Sequence, residues 1–443
     1  MNRWVKSSIL LGAALCVMTS SASAERVTYS KDVAPIFQEN CQGCHRPGQI
    51  APMSLLTYQD ARPWAKSIKK QVGSRKMPPY FAHPSSLPMK GDLNLSQDEL
   101  DTIVAWVDQG AREGDPANLP EPLVFDSFEG GWTLKQPDLV LQPMEPFMVG
   151  KEVDDEYRCY RIPLGLDHDV WLKGVEFKPG NSKVVHHFIL FEDVAGNFAA
   201  RDDATPEPGC ECKDMETMLA GTKLLKMWAP GNVQPLSPVG VGTRIGKGHD
   251  LILQIHYHNV TGADTVDLSS FALHLAQPDE TIQKEIRMQL VLQPNLNILA
   301  GDPESKHEAK FTTRKDVTLY SSGVHMHYRG KDMGMWAWRP GELEEETILW
   351  VPNYDFNWQL TYEFEEPYKA PKGTQFIMRS THDNSEGNPF NPDPTKDVHW
   401  GLATSDEMAF SGYSYTYDDE ALNITPQLPE QSAASVESEQ TDD

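Results

Sequence analysis

The sequence has no apolar run of the length that crosses a membrane, which takes about 20 consecutive apolar residues. We therefore expect no stable membrane anchor. Basic residues are also scarce, because 39 Lys and Arg stand against 64 Asp and Glu, a formal net charge of −25. An acidic surface of this kind repels phosphate backbones, so nucleic acid is excluded as a partner.

The first 24 residues are typical of a secretory signal peptide. Arg3 and Lys6 form a basic start, residues 9–17 are a short apolar run, and residues 22–24 have the Ala-Ser-Ala pattern of a cleavage site. The sequence thus predicts a periplasmic or secreted protein. Removal of this segment takes the net charge of the mature chain to −27.

Cysteines are few. One of the six lies in the signal peptide, and Cys41 and Cys44 belong to a motif described below. Cys159, Cys210 and Cys212 remain, and an oxidising compartment favours one disulfide among them. We predict a bond from Cys159 to either Cys210 or Cys212 and one remaining thiol. A Cys-x-Cys metal site is the less favoured alternative.

Residues 25–118 have helical patterns. From Leu95 to Gly110, apolar residues recur at helical spacing behind a Ser96/Glu99 capping box, and residues 58–72 are a second candidate helix. Residues 119–131 begin with the proline content of a linker.

From residue 132 onward the pattern changes to short apolar or alternating runs separated by Gly, Pro, Asn and Asp, as in antiparallel sandwiches. We predict a multidomain chain, with the helical domain followed by an all-β region of two sandwiches at 132–280 and 281–417. Residues 418–443 hold eight acidic and no basic residues, which predicts a disordered acidic tail. The clearest strand candidates are 170–177, 184–191, 251–257, 271–275, 317–320 and 375–379.

The helical domain contains Cys41-Gln-Gly-Cys44-His45, the attachment motif of a c-type haem. Two thioethers would hold the porphyrin and His45 would bind the iron from one side. Met77, in a Met-Pro-Pro loop, is the predicted sixth ligand, since a thioether raises the haem potential. His83 is the competing ligand, but its Pro/Ser-rich loop places it at the surface. We predict one covalent haem c in a domain similar to small c-type cytochromes.

Histidines concentrate in the β region. They form three clusters: His186-His187, His256-Tyr-His258 and His325-Met-His327. An H-x-H pair on a strand directs both imidazoles to one face, whereas adjacent histidines need a local bulge to share a metal. One such pair alone is better explained as a polar strand face. Three clusters in one exported β region indicate a metal site, and imidazole together with a thioether favours copper.

These motifs resemble the copper type II, ascorbate-dependent monooxygenases, in order and in spacing, over about residues 132–417. The resemblance rests on residues 184–191, 254–259, 323–330 and 404–409. It implies two jelly-roll-like sandwiches whose two coppers face each other across an open cleft. It also implies an electron-transfer copper on His186, His187 and His256, and an oxygen-binding, catalytic copper on His325, His327 and Met408.

Some positions depart from the family or stay without a role. Peptide-amidating relatives carry an Arg where this chain has Gly323, so a C-terminal glycine peptide is disfavoured as substrate. His258 either supports a ligand histidine without binding metal itself or is exposed, and His382 is interpreted as structural. Arg329 and Lys331 are interpreted as a solvated strand end rather than an anion site.

The resulting hypothesis is an exported haem–copper oxidoreductase. The copper sites hydroxylate a C–H bond of a small organic substrate with O2, and the fused cytochrome passes electrons to them from an external donor, a cytochrome or a small reductant. The alternative is a non-catalytic periplasmic electron-transfer or copper-binding protein. A nitrogen-oxide reductase is disfavoured because the copper region lacks a suitable Cys–His–Met cluster.

Overall fold

The computed structural model describes residues 26–49, 51–125, 128–153, 155–212, 221–232 and 235–429. The predicted signal peptide lies outside these ranges. So does the part of the predicted acidic tail from residue 430 onward.

Helices are concentrated at the start of the chain and pack around Phe37, Ile103 and Trp106, none of which is exposed. The capping box is confirmed, because the Ser96 amide donates to Glu99 at 2.8 Å. The candidate helix at 58–72 is divided in two, since Pro63 has no N–H for a helical hydrogen bond. The segments are a π-helical turn Tyr29–Val33, α1 Ala34–Asn40, α2 Tyr58–Ala61, a 3-10 turn Arg62–Trp64, α3 Ala65–Gly73, α4 Gln97–Asp108 and a 3-10 turn Pro116–Asn118.

The first β region contains two five-stranded sheets that share one apolar core, which includes Leu172, Phe188 and Leu253. Its elements are β1 Leu139–Leu141, β2 Phe147–Val149, β3 Glu156–Ile162, β4 Val170–Lys178, β5 Val185–Asp193, α5 Phe198–Asp203, β6 Cys210–Glu211, β7 Thr222–Trp228, β8 Val241–Ile245, β9 Leu251–Tyr257, β10 Thr265–Asp267, β11 Ser270–Leu275 and β12 Lys284–Glu285. The sheet orders are β1-β11-β4-β8-β12 and β6-β3-β9-β5-β7, with β10-β2 as a small ribbon.

The second β region contains two four-stranded sheets around a separate core, which includes Met335, Phe364 and Phe376. Its strands are β13 Arg287–Leu292, β14 Asn297–Ile298, β15 Ser305–Thr312, β16 Val317–Met326, β17 Gly330–Trp338, β18 Glu346–Val351, β19 Thr361–Ala370, β20 Gln375–His382, β21 Val398–His399 and β22 Ala409–Tyr417. The sheet orders are β13-β22-β16-β19 and β15-β20-β17-β18, with β14-β21 as a ribbon.

The predicted succession of helices and antiparallel sheets is therefore confirmed, whereas the jelly-roll-like connections stay a prediction. β12 pairs in parallel with β8 of the first region, so the chain enters the second region after residue 285 rather than at 281. The expected disorder from residue 418 is wrong for the first part of the tail. Ile424 forms a β-bridge with Ile282, and Glu420 accepts from Arg287 at 2.7 Å, which fixes this segment to the sheets.

Residues 78–93, which connect Met77 to the segment before α4, are here called the docking segment. The segment lies against the second β region. The amides of His83 and Leu87 donate to carbonyls of β18, and that of Lys90 donates to Glu363 in β19. Tyr80 and Met89 are buried in the same core as Phe364. The helical domain is thus fixed to the second β region by its own loop.

Candidate functional site

A β-bulge brings the adjacent histidines His186 and His187 together. The pairing of β5 with β9 shifts between Val185 and His187, and His187 then lies opposite His256. A bulge inserts an extra residue and redirects its side chain. This is the local irregularity that the adjacent histidines were expected to need.

The three imidazoles form a compact ligand group. Their ligand nitrogens all lie within 4.8 Å of one another. His187 Nδ1 is 3.2 Å from His186 Nδ1 and 3.4 Å from His256 Nδ1. Two nitrogens bound tetrahedrally to one metal at about 2.0 Å lie roughly 3.3 Å apart, so this spacing fits a shared ion.

The surroundings keep these imidazoles in the form that binds metal. Burial and the neighbouring His256 lower the pKa of His186 to about 3, and burial holds the pKa of His187 well below its usual value. Neutral imidazole is the ligand species. His258 lies outside this group of three.

Asp155 fixes the orientation of His256. His256 Nε2 donates to Asp155 Oδ1 at 2.7 Å, which leaves Nδ1 for a metal. The same carboxylate accepts from the Thr404 amide at 3.0 Å. Tyr157 stacks on His256 with ring centres 4.2 Å apart, and its hydroxyl donates to the Leu402 carbonyl at 3.1 Å. Residues 402–404 of the second β region therefore lie directly against the first histidine group.

The second predicted site begins at the end of β16. The rings of His325 and His327 are 5.2 Å apart and nearly perpendicular. His325 Nδ1 lies 2.5 Å from Gln359 Oε1, and His327 Nδ1 lies 3.3 Å from the Asp406 carbonyl. Because these oxygens accept, both Nε2 atoms remain for a ligand. Burial lowers the pKa of His325 to about 4, so this imidazole is also neutral at neutral pH.

Met408 lies just before β22, whose Phe410 is the β-sheet neighbour of His325. It is buried and lines the same cavity as His325 and His327. Two imidazoles and a thioether at one cavity wall fit a copper ion by ligand chemistry.

A buried carboxylate supports this second group. Glu407 is fully buried and accepts from the backbone amides of His327, Arg329 and Met408. Burial raises the pKa of Glu407 to about 7, although the three amides act in the opposite direction. Glu407 therefore fixes the backbone of two predicted ligands.

The interpretation of Arg329 as part of a solvated strand end is wrong. Its side chain is only 2% exposed and donates to Asn384 Oδ1 and to the Ser405 carbonyl, each at 2.9 Å. His382 is also buried, and its Nε2 lies 3.4 Å from the Met408 carbonyl. Both side chains are therefore hydrogen-bonded to backbone carbonyls of the loop that carries Met408.

The two groups share one cavity of about 570 Å³. His187, His325, His327 and Met408 all line it. His186 stacks on Phe356 at 4.6 Å, and Phe356 meets His327 edge-on at 6.1 Å. Phe356 thus contacts one histidine of each group.

The predicted haem ligands lie together in the helical domain. Cys41 and Cys44 follow α1 as free thiols, and burial raises the pKa of Cys41 to about 12. His45 Nδ1 lies 3.1 Å from the Met53 carbonyl, so Nδ1 carries the proton and Nε2 remains for iron. Met77 packs against the same core as Cys41. This donor set fits a c-type haem.

His83 does not belong to this group. Its ring lies 4.4 Å from that of Trp350 in β18, and its amide donates to the Trp350 carbonyl at 2.7 Å. His83 is therefore partly exposed, and it also contacts the second β region.

The disulfide joins Cys159 to Cys212, with Cα atoms 5.9 Å apart, and Cys210 is the buried free thiol. Of the two predicted pairings, Cys159 to Cys212 is therefore the one that forms. Within the described ranges, no helix has the length and apolar character needed to cross a membrane.

Sequence reasoning missed the residues that orient the ligands, chiefly Asp155, Tyr157, Gln359 and Glu407. Their partners lie far away along the chain. Only Glu407, next to Met408, carried a signal in the sequence, because a carboxylate beside a predicted ligand is a natural support for it.

Comparison with known families agrees with this geometry. Residues 146–264 match the copper type II ascorbate-dependent monooxygenase N-terminal domain, a range that includes His186, His187 and His256. Residues 30–107 match cytochrome c oxidase, cbb3-type, subunit III, a range that includes the haem motif and Met77. The resemblance of the β region to this copper family, behind an N-terminal cytochrome domain, is thus confirmed.

Among curated proteins, the chain is similar to MOXD1 homolog 1 of Drosophila melanogaster, with 20% identity over 295 residues. The alignment covers 60% of this chain and 41% of that protein, so the chain spans about two fifths of its relative's length.

Among solved structures, similarity is weak. It includes PNGF-II, with 9% identity, a TM-score of 0.25 and coverage of 63% of this chain and 65% of the other. It also includes a peptide-N(4)-(N-acetyl-β-D-glucosaminyl) asparagine amidase, with 10% identity, a TM-score of 0.26 and coverage of 66% and 98%.

Proposed function

We propose that this chain, which carries a copper type II ascorbate-dependent monooxygenase N-terminal domain behind a cytochrome domain, is an exported monooxygenase that hydroxylates a C–H bond. His186, His187 and His256 hold an electron-transfer copper. His325, His327 and Met408 would hold a second copper, which would supply the chemistry with O2 and substrate. The observation that carries the proposal is the opening of both ligand groups on one cavity.

The proposed reaction is balanced by two electrons and two protons. One oxygen atom of O2 enters the substrate C–H bond as C–OH, and the other becomes water. The C–H bond supplies two of the four electrons that reduce O2, and the protein must deliver the other two. Copper, when bound, supplies the one-electron redox chemistry. The chain itself orients the ligands through Asp155 and Glu407 and keeps the imidazoles neutral by burial.

The cytochrome domain is the proposed reductant. Cys41 and Cys44 would attach one haem covalently, and His45 and Met77 would ligate its iron. That group would supply one-electron transfer between an external donor and the His186/His187/His256 site. Support comes from the fusion in one chain and from the docking segment, which starts directly after Met77 and packs against the second β region. The protein would act in the periplasm or outside the cell.

The first experiment measures metals and O2 consumption. Purified protein should contain one iron and two coppers, and O2 uptake with a reduced donor should depend on the organic substrate. Protein that binds no copper after reconstitution would contradict the proposal.

Met408→Leu separates an enzyme from a copper carrier. This exchange conserves volume, so it costs less than about 1.5 kcal/mol of stability. We expect it to abolish substrate-dependent O2 uptake while the first site keeps its copper. Met333→Leu is the control, because Met333 is buried in the second core. Unchanged turnover in Met408→Leu would show that Met408 is not a ligand of the catalytic copper, whereas wild type without substrate-dependent O2 uptake would support the non-catalytic alternative.

The role of the haem needs a separate measurement. Reduced, copper-loaded protein is mixed with O2 and substrate while the haem absorbance is followed. Oxidation of the haem in step with product formation is expected. A haem that stays reduced during turnover would remove the cytochrome from the electron path.

A further inference from the structure

The cavity shared by the two ligand groups is large enough for a small organic molecule. Its volume of about 570 Å³ lies within the range of about 300–1,000 Å³ found for such sites. Away from the histidines and Met408, apolar side chains of both β regions line it, among them Phe188, Leu225, Leu290 and Phe410. Such a wall favours a mainly apolar ligand.

Two of the four cationic side chains that line the cavity are neutralised by carboxylates. Lys173 pairs with Glu280 at 2.5 Å, and Arg287 pairs with Glu285 at 3.1 Å. Arg287 also pairs with Glu420. These side chains leave no net positive charge for a ligand.

Lys226 in β7 is different. It lines the cavity, and within the part of the chain that the structure describes its amine has no ion pair or hydrogen bond. Burial lowers the pKa of Lys226, although the Glu363 carboxylate opposes this. Lys226 is half-buried, because its side chain faces the cavity. In a mainly apolar cavity, an ammonium without a direct partner costs free energy, which an anionic group of a ligand can recover.

The net charge around Lys226 indicates which kind of anionic ligand this part of the cavity favours. Glu363 lines the same part of the wall, and Lys90 of the docking segment, an exposed side chain, also contributes to the cavity. Both lysines act electrostatically on Glu363. Two ammonium groups and one carboxylate leave one positive charge, which matches a singly charged carboxylate better than a doubly charged phosphate.

We propose that the substrate is a mainly apolar compound with one carboxylate, and that Lys226 binds this carboxylate inside the cavity. The apolar part then extends toward His325, His327 and Met408, where the C–H bond is hydroxylated. This inference rests on the proposed function for the reaction, but the binding it predicts does not depend on copper. Lys226 is thereby a specificity residue on the opposite β region from Gly323.

The test uses copper-free, full-length protein and the fluorescence of Trp228 and Trp400, which line the cavity. Octanoate should change this fluorescence and bind more tightly than octylamine. Lys226→Met keeps most of the side-chain length without the charge. It should weaken octanoate binding about tenfold or more, since a charged hydrogen bond contributes about 1.5–3 kcal/mol.

Two controls identify the cause of a loss. Binding of 1-octanol should be equal in wild type and Lys226→Met, which shows an intact cavity. Lys223→Met lies on the same strand but pairs with Glu285 at 2.7 Å, and it should leave octanoate binding unchanged. Equal octanoate binding by wild type and Lys226→Met, or no octanoate binding at all, would overturn the inference.

The outcome is separable from that of the proposed function. If octanoate fails to bind while copper-loaded protein still hydroxylates another substrate, only the substrate class is overturned. If octanoate binds through Lys226 and no substrate supports O2 uptake, the binding inference stands and the monooxygenase proposal is contradicted.

Discussion

Asp155 is the residue that joins the two ligand groups. Its carboxylate accepts a hydrogen bond from His256 of the first group and another from Thr404, which lies four residues before Met408 of the second group. Burial raises its pKa, but the hydrogen bonds from His256 and Thr404 outweigh that effect and the pKa is lowered. The carboxylate is therefore charged at neutral pH and can fix the His256 tautomer.

Asp155→Asn should weaken metal binding at the first group by about 10- to 100-fold, the usual effect of losing a hydrogen-bond partner of a metal ligand. Affinity is measured by competition with a copper chelator. The matched control is Asp279→Asn, an exposed aspartate of the same β region, which should bind like wild type. Equal affinities in all three proteins would show that Asp155 does not orient His256.

At the residue scale, ligands are easier to predict than their supports. The three histidine clusters and Met408 stand out by type and spacing, and the structure brings them into two groups at one cavity. Asp155 was not predicted, because nothing distinguishes it among 64 acidic residues, and Glu407 was marked only by its position beside Met408. Their roles depend on burial and on partners elsewhere in the fold.

At the element scale, the bulge in β5 and the disulfide shape the sheet that carries the first group. β9, with His256, lies between β3 and β5. Cys159 in β3 is bonded to Cys212, which follows β6. The disulfide thus fixes the chain after β6 to the strand next to β9, and we expect it to contribute to the stability of this sheet.

Cys212→Ser should lower the free energy of unfolding by about 2–5 kcal/mol, because the bond closes a loop with a sequence separation of 53. Denaturant unfolding with and without a thiol reductant checks this. Reductant should destabilise wild type and Cys210→Ala, since Cys210 is the free thiol, and leave Cys212→Ser unaffected. Insensitivity of Cys210→Ala to reductant would assign the bond to Cys210 instead.

Elements were predictable where a local pattern is strong. All six strand candidates correspond to observed strands, because alternation follows directly from the side-chain period of a strand. The division of the second helix follows from Pro63 alone. Long-range pairing was not predictable. The bridge of Ile424 to Ile282 involves a segment whose acidic composition indicates disorder.

At the scale of the whole molecule, the docking segment determines how the cytochrome domain is held. The sequence predicts a linker at 119–131 between this domain and the β regions. The docking segment adds a second connection, because Tyr80 packs edge-on against Tyr362 at 5.2 Å and Met89 forms a β-bridge with Phe364. Little in the sequence indicates this contact, because the apolar residues of the segment form only short runs between prolines and polar residues.

Tyr80→Ala should therefore uncouple the two parts of the molecule. Truncation of a buried aromatic costs about 3–5 kcal/mol, and here the loss falls on the contact between them. In wild-type holoprotein, haem absorbance and tryptophan fluorescence should report one shared unfolding transition. In Tyr80→Ala the two transitions should separate. Trp64→Ala, at a side chain that is 47% exposed, is the control and should keep them together. Coincident transitions in Tyr80→Ala would mean that the docking segment does not couple the domains, and the linker would then be their main connection.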